Sequence, residues 1–254
     1  MEIGLTLLSI VVGYVFGSLS FTRLIARIII PGEDISSTRF EMPGKDIGME
    51  MTSVSPTALS MRKGPGAGCS ASILDMLKAA IPAFILMRLY PDQPYFLISS
   101  AMAIIGHNWP IQHSLKGGRG FSPMIGSLFV IDFWSIPFAM ISGNLIGLGV
   151  VKDVFLAYIM FAVMLIPWMT FRFWNSVDIH VLWYVAYAAW ATGTFLFASR
   201  SEITQYLEIK RSGVLDDREE FLDAIEQTDM GRPIKYMRKY GFFGGPKEEN
   251  ATEA

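Results

Sequence analysis

The chain has 254 residues, 52% of them hydrophobic and 17% charged, with a mean hydropathy of +0.39 and a formal net charge of −2. That balance excludes an ordinary soluble domain and points to an all-α integral membrane protein with several spans. A single cysteine, Cys69, excludes an internal disulfide, and the three histidines, His107, His113 and His180, differ in setting; no metal, cofactor or nucleic-acid partner is expected.

In chain order, the first apolar run, Ile3–Ile30, is long enough to cross a bilayer, which takes about 20 apolar residues. It lacks a basic leader region and a small-residue cleavage site, so it reads as a retained transmembrane helix. Near its inner end stand Gly17-Ser18-Leu19-Ser20, small polar residues that let helices approach closely, followed by Arg23 and Arg27. The arginines read either as snorkelling side chains or as contacts for a lipid or substrate phosphate. A long inner loop, roughly Pro31–Gly68, comes next. The second span, Cys69–Tyr90, carries Asp75 and Lys78, three apart and therefore on one helix face. Charges inside a span face a protein interior or a functional cavity. This pair reads equally as a structural ion pair or as part of a site.

A third span is expected over Tyr95–Ile111. The stretch Phe121–Val151 is long for one span and short for two. Asp132, Ser135 and Pro137 interrupt it, which predicts two short helices joined by a tight outer turn. Val154–Phe171 and Ile179–Ala198 complete the set, giving about seven transmembrane helices. With the C-terminus cytoplasmic, the inner loops hold Arg39, Lys45, Arg62, Lys63, Lys116, Arg119 and Lys152, and the outer loops only Arg88 and Arg172. This asymmetry predicts an N-terminus on the outside. Residues 1–200 thus form the membrane domain and residues 201–254 a cytoplasmic tail. In the tail, Asp216–Gln227 reads as an acidic amphipathic helix with Phe221, Leu222 and Ile225 on one face. Arg232–Lys239, with Tyr236, reads as a solvated segment or as one that touches anionic lipid. Lys247–Ala254 is expected to be disordered.

The most informative segment is Gly106-His107-Asn108-Trp109-Pro110 followed by Lys116-Gly117-Gly118-Arg119-Gly120. Closely spaced glycines let the backbone fold with its N–H groups inward, and such a concavity binds anions. Lys116 and Arg119 reinforce it. An anion nest at the end of a membrane helix suggests an enzyme that meets a lipid-soluble phosphate or acyl phosphate at the membrane surface.

Together these pieces resemble the bacterial acyl-phosphate:glycerol-3-phosphate acyltransferases. The family's first motif, G-S-I-P/T-F, is matched by Gly17-Ser18-Leu19-Ser20-Phe21. Its third, G-H-x-x-P and then F-K-G-G-K-G-V-A-T, is matched by Gly106–Pro110 and by Leu115-Lys116-Gly117-Gly118-Arg119-Gly120, after which Phe121-Ser122-Pro123 departs. The second, S-G-N-x-G-A-T-N with an arginine, glycines and L-D-x-x-K-G, keeps Thr57, Gly64, Gly68, Leu74-Asp75 and Lys78. Ser53-Val54-Ser55-Pro56-Thr57-Ala58 stands where N-x-G-A-T-N stands, so both asparagines are replaced. The motif arginine falls on Met61, beside Arg62. Lys152–Tyr158 resembles R-Y-V-S-L-A-S, and Ala198–Ile203 resembles R-H-R-E-N-I, keeping Arg200.

The resemblance implies a seven-span enzyme of the inner cell membrane, with no metal and no covalent acyl-enzyme. It would transfer a fatty acyl group from acyl phosphate to the 1-hydroxyl of glycerol 3-phosphate, giving lysophosphatidic acid. It assigns His107, Lys116 and Arg119 to catalysis. It assigns Ser18, Ser53, Thr57, Arg62, Asp75, Lys78, Gly117, Gly118, Gly120 and Arg200 to binding the two substrates. His107 reads as a base or as a residue that orients the loop. The replaced asparagines keep a second reading open, a non-catalytic or altered-acceptor lipid-binding paralogue on the same fold. A small-anion or lipid transporter is a third, weakened by the absence of an internal repeat.

Overall fold

The computed structural model describes residues 1–41, 48–51, 53–177 and 179–213. The expected tail features at Asp216–Gln227, Arg232–Lys239 and Lys247–Ala254 lie outside the described residues. Two compact units emerge: Met1–Ser37 with Thr52–Arg200, and a smaller one whose described parts are Thr38–Glu41, Gly48–Met51 and residues 201–213.

The large unit is helical, as the composition predicts. It comprises α1 (Ile3–Ser18), α2 (Phe21–Ile29), α3 (Pro56–Lys63), α4 (Pro65–Leu89), α5 (Tyr95–Asn108), α6 (Phe121–Ile131), α7 (Ser135–Asn144), α8 (Val154–Arg172) and α9 (Val181–Ala198). The smaller unit adds a two-stranded antiparallel ribbon, β1 (Thr38–Glu41) and β2 (Gly48–Met51), with Thr38 opposite Met51. It also holds most of a last helix, α10 (Arg200–Arg211). There the Gln205 side chain accepts from the Glu50 N–H at 2.8 Å and donates to the Glu50 carbonyl at 3.1 Å.

Among the described residues, four stretches suffice by length and composition to cross a membrane: Ile3–Ile29, α4, Phe155–Arg172 and α9. Helices α6 and α7 are apolar but shorter. Large apolar side chains such as Leu7, Val11, Ile73, Phe84 and Phe129 are exposed, a pattern that suits a lipid-facing surface and not a watery one.

The first span departs from expectation. Ile3–Ile30 is not one helix but two, broken at Leu19–Ser20. The Ser18 hydroxyl donates to its own helix at the Val15 carbonyl, 2.8 Å away. The Ser18 and Leu19 carbonyls are taken instead by side chains from elsewhere, Gln112 Nε2 and Lys78 Nζ, each at 2.5 Å. Short hydroxyl side chains compete with the helical ladder in this way.

The expected hairpin within Phe121–Val151 is present as α6, a turn, and α7 continued by a π-helical segment, Leu145–Val150. Buried Asp132 organises the turn. It accepts from Ser135 Oγ and Trp168 Nε1, both at 2.8 Å, and lies 3.5 Å from Arg172 Nε. The core runs along α5, α6, α8 and α9 through Leu97, Ile104, Met124, Leu128, Leu165 and Phe195.

Helix α1 packs along α5 at close range. A Cβ added at Gly13 would strike the Ser99 carbonyl, one at Gly17 the Ala103 carbonyl, and one at Gly106 the Tyr14 carbonyl. Overpacking such a contact costs about 1–3 kcal/mol. Gly13→Leu and Gly17→Leu are therefore expected to lower the thermal midpoint in detergent. Gly4→Leu, at a site with nothing within 4 Å, leaves it unchanged.

Candidate functional site

One end of the large unit gathers many of the sequence-derived candidates. Helix α4 brings Asp75 and Lys78, both nearly fully buried, to the break between α1 and α2. Lys78 Nζ lies 2.7 Å from Asp75 Oδ1, 2.5 Å from the Leu19 carbonyl and 2.9 Å from His107 Nδ1. An ammonium has three N–H donors, so these three partners exhaust it. Asp75 Oδ2 takes the Thr22 hydroxyl at 3.4 Å, and the Phe21 N–H is also directed at the carboxylate. The pair thus sits across two helix ends. The cation meets the C-terminus of α1 and the anion the N-terminus of α2, the favourable sign at each.

His107 is the penultimate residue of α5, where Trp109 and Pro110 end the helix. Its carbonyl accepts from the Gly118 N–H at 3.0 Å. Its ring lies on Gly118, so a Cβ there would collide with His107 Nε2. A Cβ at Gly117 would strike the His107 carbonyl, and one at Gly120 would come within 2.8 Å of Asn108 Oδ1. Only glycines let the loop lie this close to the end of α5. Gly120 has φ +84° and opens α6.

The loop also fixes which N–H groups serve an anion. The Gly118 N–H is spent on His107 and the Lys116 N–H on the His113 carbonyl. Among the described residues no backbone acceptor takes the N–H of Gly117, Arg119 or Gly120. With the N-terminus of α6, they are the donors that remain.

The cations are arranged unequally. Arg23 Nη2 donates to the Lys116 carbonyl at 2.9 Å, tying α2 to the loop, while the Lys116 side chain is exposed. Arg119 lies over the Tyr158 ring at 5.9 Å. His113 sits at the rim, where partial burial and then Arg23 and Arg27 push its imidazole below the usual value.

Other candidates stand apart. Ser53 is buried beside the loop, since the Val54 N–H donates to the Gly117 carbonyl at 3.0 Å. Thr57 is exposed on α3. Arg62 grips the first loop: it donates to the Asp34 carbonyl at 2.6 Å and the Ser37 carbonyl at 2.8 Å, and pairs with Glu33 at 3.7 Å. Arg200 covers the Phe197 ring at 4.3 Å, and Phe197 packs on Trp109.

Reading from sequence missed four residues here. Tyr14 donates to the Trp109 carbonyl and Gln112 to Ser18; Thr22 meets Asp75; and Asn108 is buried against Gly120 with neither amide atom paired. Only Asn108 carried a signal, its place inside G-H-x-x-P.

A family model described as glycerol-3-phosphate acyltransferase matches residues 7–208. Glycerol-3-phosphate acyltransferase 1 of Dehalococcoides mccartyi is 30% identical over 132 residues, covering 51% of this chain and 58% of that protein. The glycerol-3-phosphate acyltransferase of Halalkalibacterium halodurans is 29% identical over 152 residues, covering 59% and 65%. The chain therefore spans less than two thirds of the length of these curated relatives. Crystal structures of PlsY (YgiH), an integral membrane glycerol 3-phosphate acyltransferase, share the fold at 22% identity. The glycerol 3-phosphate form has a TM-score of 0.64, covering 80% of this chain and 92% of that one, and the lysophosphatidic acid form 0.62.

Removing one partner of a buried pair costs about 3–5 kcal/mol, whereas removing both charges costs far less. Lys78→Met is expected to destabilise the fold in that range, and Asp75→Asn/Lys78→Met to recover most of the loss. Reversible denaturant unfolding in detergent reads the difference.

Proposed function

This chain belongs to the glycerol-3-phosphate acyltransferase family, and on that premise we propose a membrane enzyme that moves a fatty acyl group from acyl phosphate to the 1-hydroxyl of glycerol 3-phosphate. The product is lysophosphatidic acid, an early intermediate of phospholipid synthesis. The observation that carries this reading is the glycine loop pressed on the end of α5, with Lys116 and Arg119 beside unspent N–H groups.

An acyl phosphate is already activated. The ester bond to the glycerol oxygen forms as the acyl–phosphate bond breaks, and the departing phosphate carries off the hydroxyl proton. The protein's work is to bring two anions together, exclude water and offset charge on the leaving phosphate. In this reading Lys116, Arg119, Gly117, Gly120 and the start of α6 hold the leaving phosphate. Ser53, Thr57 and Arg200 serve the acceptor. Ser18, Asp75, Lys78 and Gly118 hold the site in shape through the contacts already described. Arg62 acts through the first loop that it grips.

We place the protein in the inner cell membrane with seven spans, the N-terminus outside and residues 201–254 as a cytoplasmic tail. The lysine and arginine asymmetry supports that orientation, since the glycine loop and α3 then share the cytoplasmic side with soluble glycerol 3-phosphate. The amphipathic α2, with Leu24 and Ile28 exposed near Arg23 and Arg27, suits a helix lying in the interface.

A second reading, a non-catalytic or altered-acceptor paralogue, is favoured by one observation: Arg62, nearest the family's motif arginine, is engaged by the first loop. Turnover separates the two. Purified protein given long-chain acyl phosphate and labelled glycerol 3-phosphate is expected to form lysophosphatidic acid, with acyl-CoA as the parallel donor. Loss of one anion-stabilising donor costs about 10²–10³ in rate, the fall expected for Lys116→Ala, and displacement of His107 in Gly118→Ala should cost at least as much. No product from folded protein favours the second reading.

A further inference from the structure

The partners of His107 bear on which of its nitrogens carries the proton. Its Nδ1 faces the Lys78 ammonium at 2.9 Å. An ammonium donates and never accepts, so Nδ1 presents its lone pair. The proton of a neutral imidazole then sits on Nε2. A doubly protonated ring would set an N–H against an N–H.

Lys78 cannot turn away. Its other donors are held by Asp75 Oδ1 at 2.7 Å and the Leu19 carbonyl at 2.5 Å, and Asp75 is backed by Thr22. The opposite edge of the ring, Nε2, lies on Gly118 in the loop that carries Lys116 and Arg119. Among the described residues no protein group accepts from Nε2. His107 as a residue keeps 8% of its surface exposed, against 1% for Asp75 and 3% for Lys78.

We propose that Lys78, backed by Asp75, locks His107 as the Nε2–H tautomer, making it a hydrogen-bond donor to a phosphate oxygen at the glycine loop and not a base. This rests on the acyltransferase reading for the identity of the phosphate, but the lock itself does not. Lys78 and Asp75 are then positioning residues. The chemistry is the same for the phosphate of the acyl donor and that of the acceptor.

The test starts with wild-type protein in lipid nanodiscs, its histidines labelled with ¹⁵N and His107 assigned by comparison with His107→Asn. The expected spectrum has a bare Nδ1 and a protonated Nε2. A protonated Nδ1 overturns the lock. Glycerol 3-phosphate and a non-hydrolysable acyl phosphonate are then added separately. A shift of Nε2 with the phosphonate alone assigns the donor's phosphate, and a shift with glycerol 3-phosphate alone assigns the acceptor's. No shift with either overturns the donor role.

Kinetics supply the second arm. In Asp75→Asn/Lys78→Met, whose charges leave together, the tautomer preference is expected to vanish. The kcat of the folded fraction should fall about 10–100-fold with little change in either KM. An unchanged tautomer and kcat would make the pair structural only. If the wild type transfers no acyl group, the acyltransferase reading fails while the spectrum still decides the lock.

Discussion

A helix broken inside a protein leaves carbonyls and N–H groups that water cannot reach, and this fold depends on how one such break is satisfied. Between Ser18 and Phe21 the chain stops one helix and starts another beside buried Ser18 and Thr22. Unpaired backbone groups in such a place cost about 1–3 kcal/mol each. Lys78, Asp75 and Gln112 meet them, from α4 and from the turn after α5. The break therefore cannot form without α4 and α5 in place, so the charged pair links three elements at one point.

The glycines set the distances on which that point relies. Gly13, Gly17 and Gly106 bring α1 and α5 nearly into backbone contact, while Gly117 and Gly118 bring the loop onto the end of α5. A shift in either contact would move His107 relative to Lys78. At the turn between α6 and α7, Asp132 performs a similar task with neutral donors and Arg172. The Ser135 hydroxyl and the Trp168 indole N–H are both spent on it. At the glycine loop the Gly117, Arg119 and Gly120 N–H groups and His107 Nε2 have no protein partner among the described residues. The two places thus differ in kind: one closes a hairpin, the other keeps hydrogen-bonding capacity in reserve.

Much of this was legible in the sequence. Apolar run lengths gave the helices, and Asp132, Ser135 and Pro137 gave the turn of the hairpin. The spacing of Asp75 and Lys78 gave a shared face, and glycine spacing gave a tight loop, though not its packing against His107. The break at Leu19–Ser20 was hidden, because it is stabilised by residues about 59 and 94 positions away, and an apolar run shows hydropathy, not hydrogen-bond partners. The bond from the ribbon of Thr38–Glu41 and Gly48–Met51 to Gln205 was hidden for a like reason, joining residues 155 apart. Arg62 reads as a substrate ligand because a family position falls beside it. In the fold it also holds carbonyls of the preceding loop, contacts that carry no sequence signature.

In the proposed lock Lys78 and His107 act as one unit. A double-mutant cycle on kcat/KM measures it most directly, using Lys78→Met and His107→Asn with the Asp75→Asn background as a second reference. Residues in contact within one network couple by about 0.5–3 kcal/mol, and a coupling in that range is the predicted result. Additive effects, with each substitution costing the same whether or not the other is present, would contradict it.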